Sequence, residues 1–138
     1  MKKLLFYILV PLLLGTIVGV LISPETKGYD GLIPGYIFPI VWSILYILLG
    51  ISSYLVRNDE KLLLIYKLNL AINLAWSFIF FTFNLKVLAF IWIILLILAT
   101  IYMMIKFFKY NKLSSYLLWP YLLWLIFASN LNILEVIK

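Results

Sequence analysis

Apolar residues run in five blocks, at 4–23, 36–56, 62–83, 87–105 and 116–137, and polar or helix-breaking residues are concentrated between them. Each block has the length of about 20 residues that a helix needs to cross a hydrocarbon core. None of them alternates apolar and polar positions as a membrane strand does, and in lipid every backbone N–H and C=O must be satisfied within the segment. The blocks are therefore expected to be helices. The pattern predicts an all-α integral membrane protein, a single membrane domain over 1–138 built as a bundle of five transmembrane helices. The first break, PETKGYDGLIP within an outer loop at 24–35, carries two Pro, two Gly and three charges and reads as a true loop. The breaks RNDEK, NLK and KFFKYNKLSS read as tight turns.

Composition agrees with this pattern. Hydrophobic residues make up 67% of the 138 and charged residues 12%, about half the charged share of a soluble domain. A water-soluble fold could not hide so much apolar surface, and no room is left for a sizeable extramembrane domain. The net charge of +6 does not point to nucleic acid, because the Lys and Arg residues stand at the ends of apolar blocks and form no aromatic-interleaved stripe. With no Cys and no His, the chain has no thiolate or imidazole chemistry and no zinc-type ligand set, so no metal site is expected. The opening Lys2-Lys3 and the apolar run after it exceed a signal-peptide core of about 7–15 residues, and we read them as a retained first helix.

The cations also set an expected orientation. Lys2, Lys3, Arg57, Lys61, Lys106, Lys109 and Lys112 fall on one side, and Lys27, Lys86 and Lys138 on the other, seven against three. Lys67 lies within the third block and is not counted. The N-terminus is thus expected inside, with the C-terminus and the 24–35 loop outside.

Against an apolar background, polar and large aromatic residues within the spans carry the information. In the third block Tyr66, Asn69, Asn73, Trp76 and Phe80 recur at spacings of three and four and share one helical face. Pro39, Trp42 and Tyr46 do the same in the second block, and Trp124, Ala128 and Asn132 in the fifth. At 1.5 Å per residue, Trp42, Trp76 and Asn132 lie at one depth, Tyr46, Asn73 and Ala128 a turn deeper, and Trp124 a turn deeper still. These levels outline a slot between the second, third and fifth helices. Asn69 and Asn73 could equally join helices by hydrogen bonds. Trp119 suits an interfacial belt, and Trp92 has no evident special role. Gly15 and Gly19 form a G-x-x-x-G pair that permits close helix packing. The acids Glu25, Asp30, Asp59 and Glu60 lie in loops and Glu135 near the end of the last block, so no deep carboxylate is present to drive a proton pump. Hydrolytic active sites have no residues to use.

Three stretches, IPGYIFPIVWSILYILLGISSYLV at 33–56, LNLAINLAWSFIFF at 68–81 and WPYLLWLIFASNLN at 119–132, resemble the tryptophan-rich sensory protein family, also called the TspO or translocator protein family. The similarity runs through all five spans in order. It implies five helices, a homodimer and binding of porphyrins such as protoporphyrin IX, in a pocket lined by the residues matching Trp42, Asn73, Trp76, Trp124 and Ala128. The family's first loop commonly ends in a longer run of the type K-P-x-W-x-P-P-G-W. Here YDGLIPGY is shorter, and Tyr36 replaces the following Trp. The C-terminus ASNLNILEVIK lacks the Tyr of the sterol-associated motif, so sterol binding does not carry over. Porphyrin degradation in bacterial relatives is tied to indoles matching Trp42 and Trp124.

The expected function is a membrane receptor or carrier for a planar hydrophobic tetrapyrrole, held by Trp42, Tyr46, Asn73, Trp76, Trp124, Ala128 and Asn132. Lys27 and Lys86 are candidate partners for its propionates, Gly15, Gly19 and Asn69 are candidate packing residues, and no cofactor is required beyond the porphyrin as ligand. With no His to ligate iron, a metal-free porphyrin is favoured over haem. Two alternatives are a light-dependent porphyrin-degrading enzyme and a structural membrane subunit without a small-molecule ligand.

Overall fold

A computed structural model describes residues 2–22 and 36–137, and all five expected spans appear in it as helices. The first three are α1 (Lys2–Leu21), α2 (Ile37–Leu55) and α3 (Glu60–Ser77), the last running on through a π-helical turn at Phe78–Thr82. They are followed by α4 (Lys86–Tyr110), a short α5 (Lys112–Tyr116) and α6 (Trp119–Val136). The last two lie almost end to end and together form the fifth span, Lys112–Val136.

Helix ends depart from the apolar blocks where local chemistry overrides hydropathy. Helix α3 begins at Glu60 because Asp59 caps it, its carboxylate accepting from the Leu62 N–H at 3.1 Å. Helix α4 continues five residues past 105, since Lys106 and Lys109 end the apolar run without disfavouring helix. Asn111 then adopts an extended backbone and caps α5 through the Ser114 N–H at 3.2 Å. Pro120 sits in the first turn of α6, where its missing N–H costs nothing. The α3–α4 turn is closed by Asn84 at φ 55°, a left-handed conformation that Asn tolerates better than other side chains.

Helix α1 packs on α2 and, less extensively, on α3; α3 packs on α4, and α4 on α5 and α6. Where α1 crosses α2, Gly50 makes the contact possible: a Cβ there would lie 2.5 Å from the Ile8 Cα and the Tyr7 carbonyl oxygen. Gly15 approaches the Tyr46 ring so closely that any side chain would displace it. Gly19, expected as a packing residue, differs: a Cβ there would meet nothing within 4 Å. Of the G-x-x-x-G pair, only Gly15 makes a close helix contact within the chain. The short α5 is tied in by Ser52 Oγ donating to the Ser114 carbonyl at 2.8 Å and Ser115 Oγ to that of Met104 at 2.9 Å.

The outward faces are apolar, as lipid contact requires. Leu5, Phe6, Leu13, Ile17 and Val20 are exposed on α1, and Leu88, Ile91, Leu95, Leu98 and Ile105 on α4. Several polar residues of the spans are turned inward, Asn69, Asn73, Thr100 and Asn132 all being buried, whereas Thr16, Ser43, Lys67 and Asn130 are exposed.

Candidate functional site

The expected polar face of α3 forms a hydrogen-bonded chain across the bundle. Tyr46 Oη donates to Asn73 Oδ1 at 3.1 Å, and Asn73 Nδ2 donates to Tyr121 Oη at 2.8 Å. Tyr121 Oη donates to Asn69 Oδ1 at 2.8 Å, and Asn69 Nδ2 donates to Thr100 Oγ1 at 3.0 Å. The chain links α2, α3, α6 and α4 through side chains with few other polar neighbours. Such bonds are worth about 0.6 kcal/mol each on average in a membrane protein and up to about 1.7. Asn69 and Asn73 therefore act as helix-joining residues.

Nearer the end of α3, Trp76 Nε1 donates to Asn132 Oδ1 at 3.3 Å, and Asn132 Nδ2 to the Lys86 carbonyl at 2.8 Å. Trp76 stacks on Phe80 at 4.9 Å and meets Phe81 edge-on. Ala128 is fully buried. The π turn at Phe78–Thr82 brings Phe80 and Phe81 into this cluster, their centroids 4.8 Å apart. Lys86 closes it, its Nζ donating to the Phe80 carbonyl at 2.9 Å and lying 3.5 Å from the centre of the Phe80 ring. Lys27 lies outside the described residues.

The slot expected between the second, third and fifth spans is thus filled by its own side chains. Open space lies one layer out. A cavity of about 400 Å³ opens between α1 and α2 and reaches Ser77 of α3. Leu12, Gly15, Thr16 and Gly19 form its α1 wall, and Phe38, Pro39, Trp42 and Tyr46 its α2 wall. The Thr16 and Ser43 hydroxyls both donate to carbonyls of their own helices at 2.7 Å, which leaves the aromatic faces to set the cavity's character. Of the seven residues expected to hold a ligand, Trp42 and Tyr46 line this cavity; Asn73, Trp76, Trp124, Ala128 and Asn132 do not.

Trp42 joins the two layers. Its ring stacks on Tyr46 with centroids 5.5 Å apart and planes 24° apart, and it meets the edges of Trp124 and Tyr121, each at 6.3 Å. Trp124 is in turn edge-on to Phe38 at 5.9 Å. Its buried Nε1 has no hydrogen-bond partner among the described residues. Trp92, which the sequence left without a role, anchors α4 to α3 by donating to the Ile72 carbonyl at 2.8 Å.

Two contributions are not evident from the sequence reading. Tyr121, the hub of the hydrogen-bonded chain, could have been found by extending the Trp124, Ala128 and Asn132 face one turn toward the start of α6. The α1 wall gave a weaker signal, because α1 is apolar along most of its length and only Gly15, Thr16 and Gly19 mark a face of it.

The comparisons with known proteins agree with this architecture. The model of the TspO/MBR family matches residues 7–135. The chain is 34% identical over 106 residues to the tryptophan-rich protein TspO of Chlorobaculum tepidum, covering 72% of this chain and 67% of that protein. A protein of the same name from Archaeoglobus fulgidus is 34% identical over 104 residues, with the same coverage. The human translocator protein is 33% identical over 107 residues, covering 72% of this chain and 63% of its own length. With five apolar helices in sequence and the family model matched over nearly its whole length, this chain is a multi-pass integral membrane protein that belongs to the TspO/MBR family.

Proposed function

We propose that the protein is a membrane receptor or carrier for a planar hydrophobic tetrapyrrole of the protoporphyrin IX type, and that the ligand enters the cavity between α1 and α2. The observation that carries this reading is the stacked Trp42–Tyr46 pair on the wall of a 400 Å³ cavity. That volume lies in the range of about 300–1,000 Å³ typical of small-molecule sites. A flat aromatic macrocycle gains most from a wall that offers ring faces, and the rest of the lining is almost wholly apolar. With Lys86 engaged by Phe80, Lys27 is the cation we assign to a propionate.

Titration of the purified protein with protoporphyrin IX, followed by tryptophan fluorescence, tests the proposal. Saturable quenching is expected. Trp42→Ala should weaken binding by about 1–3 kcal/mol if loss of stacking on the macrocycle resembles that on a nucleobase. Trp92→Ala, distant from the cavity, should bind as the parent does. Equal affinity of all three proteins would refute the site.

A further inference from the structure

A second cavity, of about 470 Å³, lies between α1 and α3, with Ser53 of α2 at its edge, and shares no lining residue with the first. Most of its lining is apolar, including Val10 and Leu14 of α1 and Leu70 and Leu74 of α3. Besides Ser53 of α2, whose hydroxyl donates to the Gly50 carbonyl at 2.8 Å, two adjacent residues of α3 break that character. Tyr66 is only 6% exposed, yet its hydroxyl has no hydrogen-bond partner among the described residues. Lys67 also lines the cavity and has no ion pair or hydrogen bond among the described residues. It stands seven residues into α3, about 10 Å along the helix from its first residue, where an ammonium group facing hydrocarbon is costly.

Nothing in the packing or hydrogen bonding described above uses these two groups. Both are donors, and one is cationic. The chemistry that satisfies them is an anionic head with two acceptor oxygens, and the apolar trough running from Lys67 toward Leu74, a further 10 Å or so, suits one acyl chain. A carboxylate fits this better than a phospholipid headgroup, which carries two chains and sits at the interface rather than at this depth.

We propose that the α1–α3 cavity binds the anion of a long-chain fatty acid, with its carboxylate held by Lys67 Nζ and the Tyr66 hydroxyl and its chain laid along Leu70 and Leu74. The site is independent of the tetrapyrrole cavity.

Equilibrium binding of radiolabelled palmitate and of its methyl ester to the full chain in phosphatidylcholine nanodiscs tests this. The ester keeps the chain and lacks the charge, so it should bind at least about tenfold more weakly than palmitate, the loss expected for a charge-assisted hydrogen bond. Lys67→Met should lower palmitate affinity to the level of the ester and leave the ester unchanged. Tyr66→Phe should weaken palmitate by a smaller factor. Ala71→Phe, which narrows the trough, should weaken both ligands, and protoporphyrin titrations should be unaffected in all three variants. Equal binding of acid and ester by the parent, or parental palmitate affinity in Lys67→Met, would overturn the proposal. Efficient disulfide formation between chains carrying Ala71→Cys would also overturn it, because a second copy would then occupy the groove.

Discussion

Gly50 and Gly19 show how little residue type says without its surroundings. Gly50 has the α1 backbone where its side chain would be, and Gly19 has open cavity. Gly50→Val should therefore overpack the α1–α2 crossing, at a cost of about 1–3 kcal/mol, visible as a lower melting temperature in detergent. Gly19→Ala should hold or slightly raise it, by up to about 1 kcal/mol from helix propensity. The reverse order would mean that α1 crosses α2 elsewhere. Tyr121→Phe keeps the ring and removes the hydroxyl that accepts from Asn73 and donates to Asn69. It should lower stability by about 1–2 kcal/mol, two bonds of the kind measured in membrane bundles.

At the scale of the helix, the spans were legible because the bilayer leaves few alternatives for an apolar run of that length. Their ends were less so. The lysines that close the fourth block are good helix formers, so α4 continues to Tyr110, and hydropathy is silent about the cap at Asp59. The faces of α2, α3 and α6 were readable wherever a polar residue marked them, as Asn69, Asn73 and Asn132 did. What periodicity could not supply was the relation between faces. Shared depth suggested an open slot, whereas the side chains at those depths are large enough to fill it, with Trp76, Phe80 and Phe81 packed ring against ring. The open volume arises beside α1, where Gly19 leaves space and Gly15 admits the Tyr46 ring. Asn73→Leu follows from this division: it should lower thermal stability by breaking bonds to Tyr46 and Tyr121 while leaving porphyrin affinity of the folded protein unchanged. An affinity loss without a stability loss would make Asn73 a ligand contact.

For the whole molecule, an apolar exterior surrounds buried polar links between helices, and two cavities are lined in part by α1, the least buried of the five spans. Both depend on α1 staying in place, which the close contacts of Gly50 with the α1 backbone and of Gly15 with the Tyr46 ring favour. The cations at the helix ends predict the orientation. A reporter fused after Lys138 should be accessible outside the cytoplasm, and one inserted between Arg57 and Lys61 should be protected. The opposite pattern would invert the assignment and open the Trp42 cavity toward the inner side.

On the proposed function, the space between α1 and α2, and not merely the presence of tryptophan, receives the tetrapyrrole. Gly19→Leu tests it, because Gly19 lines the cavity, a Cβ there meets nothing within 4 Å, and the substitution leaves Trp42, Tyr46 and Trp124 intact. Protoporphyrin IX titration of this variant, followed by tryptophan quenching, should show binding weakened by tenfold or more, on the order of 1.4 kcal/mol, with the melting temperature of the ligand-free protein unchanged. Parental affinity in a stably folded Gly19→Leu protein would contradict the account and place the ligand elsewhere in the bundle.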